Sequence, residues 1–230
     1  MSDFYKAILP MLFEFEDYYY GLGSSILIST AESCYLITAK HVIENQQQRA
    51  ENIRVYPSGG SRMSIPFDQL TRIDIDNEDP DYSDLYILRV DMDSFKKTGD
   101  GALISQRLED GFLNPTLLQT GDQLIVVGYP EFGRQVDDQA YKIKSLLQSY
   151  NTRYVAISSS MMHCHEIQFD INHGLHSFNG LSGSPVYKQV EKKQMVVGIL
   201  LKGTASSSIA FFLGVDVLRS AIIKAEKSKK

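Results

Sequence analysis

The sequence predicts an all-β chain that closes on a helix, and three observations carry that expectation. Short apolar runs of strand length recur along it, bounded by Gly, Pro, Asn, Asp and Ser, as in strands separated by turns. A 3.6-residue apolar period marks Val215, Leu218, Ile222 and Ala225 near the C-terminal end. The 230 residues, 43% hydrophobic and 22% charged, suffice for two small barrels with buried cores, and no low-complexity linker or fixed-period repeat divides them.

Residues 4–13 read as a short helix or a lead strand, ahead of the aromatic run Tyr18-Tyr19-Tyr20, which is expected to cover a barrel end. Gly21-Leu22-Gly23-Ser24 reads as a glycine-rich turn before an apolar strand. Cys34 to Thr38 returns beside that strand as a hairpin. A short helix is expected over 42–48, with strands at 53–56, 63–66, 73–75 and 85–90. The polar stretch 92–121 suits a crossover. A second strand set is expected at 123–130, 141–147, 153–158, 164–171, 186–187, 194–203 and 209–213, with the helix over 215–225.

Chemistry concentrates at Gly180-Leu181-Ser182-Gly183-Ser184-Pro185. Glycines flanking a serine permit a tight turn that exposes the hydroxyl. The amides of Gly180 and Ser182 are the candidate oxyanion hole. Alone, such a motif is as easily a surface turn. Its partners are Thr38-Ala39-Lys40-His41, where a strand runs into a histidine, and Ser83-Asp84-Leu85, where an aspartate leads into another strand. Asp79 and Asp81 rival Asp84 for the orienting carboxylate. Asp84 is preferred because it borders the apolar strand that can bury it against the histidine.

In order and spacing these motifs resemble the chymotrypsin-fold (trypsin-like) serine peptidases, with Ser184 where the family pattern has glycine. The resemblance implies two six-stranded antiparallel Greek-key barrels, residues 1–110 carrying His41 and Asp84 and residues 111–230 carrying Ser182 and the helix. It implies an endopeptidase acting through an acyl-enzyme, with no cofactor. Leu201, Lys202 and Gly203 would pair with an extended protein or peptide substrate, and His176 and Ser177 would floor the primary pocket. No carboxylate stands at that floor, so Lys or Arg is not expected there; small or apolar side chains are, with an acidic or amide side chain that His176 and Ser177 could hydrogen-bond as the alternative. Leu181 replaces the aspartate of zymogen-activated members, which implies control by an activating protein partner or by ordering of residues 172–179. The alternative is a catalytically idle copy of the fold that holds peptides.

A net charge of −5 argues against a nucleic-acid groove, and the lysines near the C-terminal end read as a solvated helix end. The N-terminal residues lack a secretory pattern and the apolar run 8–13 is too short to cross a membrane, so a cytoplasmic protein is expected; the resemblance, without the disulfide that clamps the histidine loop in secreted relatives, implies a bacterial-type member. The two cysteines, Cys34 and Cys164, are expected as buried strand residues rather than a disulfide framework. His163, His165, His173 and His176 cluster with Cys164 and Glu166. No metal is assigned to them, because no paired ligand motif accompanies them, although 163 and 165 are expected to share a strand face.

Overall fold

A computed structural model of the chain describes residues 3–16, 18–44, 50–57, 63–72, 84–98, 103–137, 142–170, 177–204 and 206–227. Strands dominate, in two sheets. The first contains β1 (Ile8–Phe15), β2 (Tyr18–Ser29), β3 (Cys34–Ala39), β4 (Ile53–Arg54), β5 (Phe67–Arg72), β6 (Leu85–Val90) and the short β7 (Gln106–Arg107). Its order is β4-β1-β2-β3-β6-β5, with β7 parallel to β2. The sheet curls into a half-barrel. No ladder joins its β4 and β5 edges among the described residues, but just beyond them the Ile65 N–H donates to the Val55 carbonyl at 2.7 Å.

The second sheet is a closed antiparallel barrel of β8 (Gln123–Gly128), β11 (Gln148–Ile157), β12 (Cys164–Phe169), β13 (Pro185–Val190), β14 (Lys193–Thr204) and β15 (Ile209–Gly214). Its ring runs β11-β12-β15-β14-β13-β8 and closes on β11. The hairpin of β9 (Arg134–Asp137) and β10 (Lys142–Ser145) stands outside it. Ranked in chain order within each sheet, leaving β7 aside, neighbours in both run first, second, third, sixth, fifth, with the fourth beside the first. The two sheets share one topology, the antiparallel two-barrel architecture expected from the sequence.

Alternation of side chains builds two cores from the barrel strands, because successive residues face opposite sides. Leu124, Val126, Val186, Val197, Leu200 and Phe212 fill the barrel interior. Val127, Tyr187, Val196, Ile199 and Leu201 join instead the core that runs through the first sheet. Burial on both faces explains why these strands read as continuous apolar runs. The helix α3 (Val215–Lys227) contributes Val217, Leu218 and Ile222 to that shared core, and Arg219 donates to the Leu108 carbonyl at 3.1 Å.

Several local expectations shift. The strand expected at 63–66 lies at Phe67–Arg72, and the one expected from Arg153 begins at Gln148. The polar crossover contains the helix α2 (Met92–Thr98), capped where Asp91 Oδ1 accepts from the Ser94 N–H at 3.0 Å. Residues 73–75 lie outside the described residues, as do Asp79 and Asp81. The short helix α1 begins at His41 (His41–Glu44), and 45–49 are likewise outside. No helix among the described residues is long and apolar enough to cross a membrane.

Candidate active site

The histidine and aspartate are brought together by strand register. β3 and β6 pair antiparallel with Ala39 opposite Leu85, so the residues following one and preceding the other meet at the same end of the ladder. The Lys40 N–H extends it by one bond to the Asp84 carbonyl, 3.0 Å. At the start of α1 the His41 N–H then donates to Asp84 Oδ1 at 2.8 Å, while His41 Nδ1 lies 2.5 Å from Oδ2. Both carboxylate oxygens are therefore engaged by one residue. A carboxylate accepts only, so Nδ1 carries the ring proton and Nε2 keeps its lone pair. Nε2 stands 3.0 Å from Ser182 Oγ. The Asp84 side chain is 15% exposed and that of His41 29%, so the carboxylate is the more screened of the two.

The serine is held differently, in a loop of turns before β13. Leu181, where a zymogen-type aspartate would stand, is fully buried in the barrel core and anchors the loop. The Leu181 N–H donates to the Phe178 carbonyl at 3.0 Å, Ser184 N–H to Leu181 at 2.9 Å, and Gly183 N–H to Leu200 at 2.8 Å. Gly180 and Gly183 have φ of 85° and 87°, which side chains disfavour. A Cβ on Gly183 would also lie 2.0 Å from the Ser24 carbonyl oxygen. Among the described residues the N–H groups of Gly180 and Ser182 donate to no protein acceptor, although those of Leu181, Gly183 and Ser184 do. Two donors are thus left unspent within the turn that presents Ser182 Oγ.

Ser24 is a site residue that sequence reasoning missed. It is fully buried and makes four hydrogen bonds. Its N–H donates to the Ser182 carbonyl at 2.9 Å and its Oγ to the Gly180 carbonyl at 2.8 Å. Its Oγ also accepts from the Tyr129 N–H at 2.8 Å, and its carbonyl accepts from Thr38 Oγ1 at 2.9 Å. The glycine-rich segment around it is not the expected turn but the middle of β2. Gly23 is needed for close approach, since a Cβ there would meet Val42 Cγ1 at 2.9 Å and the Ser182 carbonyl oxygen at 3.0 Å. The signal was present as small residues inside an apolar strand, which mark a second backbone passing close by.

Leu201, Lys202 and Gly203 lie on β14, beyond its pairing with β13, which ends at Ile199 opposite Pro185. The reciprocal bonds of Leu200 with Gly183 and Ser184 end that side of the strand, while β15 covers the other. Among the described residues no strand ladder continues along the serine-loop side of β14 beyond Ile199. Ser177 is half-buried and its Oγ accepts from the Asn179 N–H at 3.0 Å; His176 and His173 lie outside the described residues. His163 precedes β12 with φ 58°, so it and His165 do not share a strand face as expected. His165 is buried, with Nδ1 3.0 Å from Tyr154 Oη and its ring stacked on Phe212 at 5.0 Å. Burial holds its pKa below the usual imidazole range, against the opposing pull of Asp216. Cys34 and Cys164 are both buried, and burial pushes the Cys34 thiol up to about 11.

No protein-family model and no curated protein matches the chain. The site is therefore read from its own geometry and from the two-barrel architecture, which is compatible with a chymotrypsin-like fold.

Proposed function

We propose that the protein is a trypsin-like serine endopeptidase with Ser182 as nucleophile, His41 as general base and acid, and Asp84 as the group that orients the imidazole. The single observation that carries this reading is the unbroken hydrogen-bond relay from Asp84 Oδ2 through both His41 nitrogens to Ser182 Oγ, 2.5 and 3.0 Å long. Ser182 Oγ attacks a peptide carbonyl carbon while Nε2 takes the hydroxyl proton, and the new oxyanion is met by the free amides of Gly180 and Ser182. The tetrahedral intermediate collapses as the C–N bond breaks, and Nε2 returns the proton to the departing amine. Water repeats the sequence on the acyl ester: its proton passes to Nε2, the ester C–O bond breaks, and Ser182 regains the proton.

The stretch of β14 beyond its ladder with β13 suits an extended peptide added as a further strand, with Lys202 exposed. With Leu181 in the barrel core, control falls to a partner or to residues 172–179 rather than to a newly cut N terminus.

A fluorophosphonate probe tests the reading, because only an activated serine reacts with it. Labelling at Ser182 is expected in the native chain and is lost in Ser182→Ala and His41→Ala. Labelling only with lysate present indicates a partner-controlled peptidase. A folded protein that labels neither alone nor in lysate is a binding module and not an enzyme.

A further inference from the structure

We infer that the backbone N–H of Glu131 is a positioning group of this site, setting the direction of the Gly180 N–H in the oxyanion hole. The inference rests on the peptidase reading above. The two candidate donors belong to the peptide groups 179–180 and 181–182, and in a trans peptide the C=O and N–H point to opposite sides. Whatever holds the carbonyl therefore aims the N–H. The Leu181 carbonyl accepts from the Ser184 N–H at 2.9 Å and the Leu181 side chain is fully buried, so the Ser182 donor is aimed from within its own turn. The Gly180 donor is aimed from outside it. The Asn179 carbonyl accepts from the Glu131 N–H at 2.9 Å, a partner in a different segment of the chain.

Glu131 opens the 3₁₀ turn Glu131–Gly133, which follows β8. In the same segment the Tyr129 N–H donates to Ser24 Oγ at 2.8 Å, and that hydroxyl donates to the Gly180 carbonyl at 2.8 Å. The peptide groups on both sides of Gly180 are thus held from residues 129–131, one directly and the other through Ser24. Gly180 is where such a hold matters. A glycine at φ 85° gives the peptide group before it little steric resistance to rotation, so the turn alone does not choose between a Gly180 N–H and an Asn179 carbonyl facing the reacting centre. A carbonyl turned that way would remove one donor and repel the developing oxyanion. The Glu131 side chain is exposed, and only the main-chain donor is needed for this role.

Glu131→Pro is the test, because it deletes this one donor at the first position of a helical turn, where the fixed φ of proline fits. kcat and KM on a fluorogenic peptide are compared among the native, Glu131→Pro and Glu131→Ala chains, beside fluorophosphonate labelling. Glu131→Pro is expected to lose about 10²-fold in kcat, as when one oxyanion donor is removed, with KM changed by less than about threefold and labelling slowed. Glu131→Ala keeps the N–H and is expected to restore the native values. Absence of labelling in the folded native chain, alone and in lysate, removes the peptidase reading itself. Where the native chain labels, a folded Glu131→Pro with native kcat overturns the role of Glu131 alone, and so does a loss confined to KM or one that Glu131→Ala shares. Should Glu131→Pro not fold, amide hydrogen exchange on the native chain decides: a protected Glu131 N–H supports the hold on Asn179, and one exchanging as fast as an unprotected amide overturns it.

Discussion

The two sheets hold their parts of the site in opposite ways. The half-barrel positions His41 and Asp84 by its own ladder: β3 and β6 are in register to their last residues, and the two side chains stand where the ladder ends. The barrel positions Ser182 in a loop whose outer face is gripped by the other sheet, through the N–H and hydroxyl of Ser24. Strand pairing suffices to place two groups one ladder step apart. A hydroxyl that must meet an imidazole from a different sheet needs a clamp across the joint, and that clamp is a buried serine with every polar atom satisfied.

The largest break comes from the in-sheet arm. Asp84→Asn keeps the bond to the His41 N–H but can offer its amide to Nδ1, favouring the wrong tautomer, and kcat on a fluorogenic peptide should fall by about 10⁴-fold. A loss of less than tenfold would mean that the ladder alone orients the ring. On the barrel side, Gly183→Ala combines a left-handed φ with a Cβ driven into the Ser24 carbonyl, and each such strain costs about 1–3 kcal/mol. Its urea midpoint should drop accordingly, and an unchanged midpoint would show that the clamp is loose.

Ser24→Ala sharpens the contrast. It leaves the Gly180 carbonyl without its donor and the Tyr129 N–H without its acceptor, a loss of about 1–3 kcal/mol in stability. Probe labelling of Ser182 should slow as well, whereas a stability loss with an unchanged labelling rate would reduce Ser24 to a purely structural bolt. The smallest effect expected is confined to the barrel. His165 has a folded-state pKa below its unfolded value near 6.5, so the unfolded chain protonates first. That contribution is fully present above about pH 6.5 and is lost as pH falls from there toward the lower folded value. Denaturant titrations from pH 7 to 5 should show the native slope, and His165→Gln should flatten it.

Much of this was legible because His41 and Asp84 sit at the ends of almost wholly buried strands, where apolar runs stop abruptly at Lys40-His41 and begin abruptly after Asp84. The hairpin of β2 and β3 and the periodic helix α3 were legible for the same reason. What escaped has a physical cause in each case. β5, Phe-Asp-Gln-Leu-Thr-Arg, is an edge strand with a register irregularity at Phe67, so its apolar pattern is diluted. α2 buries little beyond Phe95, leaving its Asp91 cap as the main signal. Ser24 makes its contacts across the joint, and sequence distance hides them.

The repeated strand order carries one more consequence. Each sheet contributes only a part of the Asp84–His41–Ser182 relay, and the serine loop is fastened at once to Ser24, early in the chain, and to Leu200, late in it. On the peptidase reading, a chain leaving the ribosome would have no activated hydroxyl while either fastening is missing, and reactivity would wait until both halves had folded.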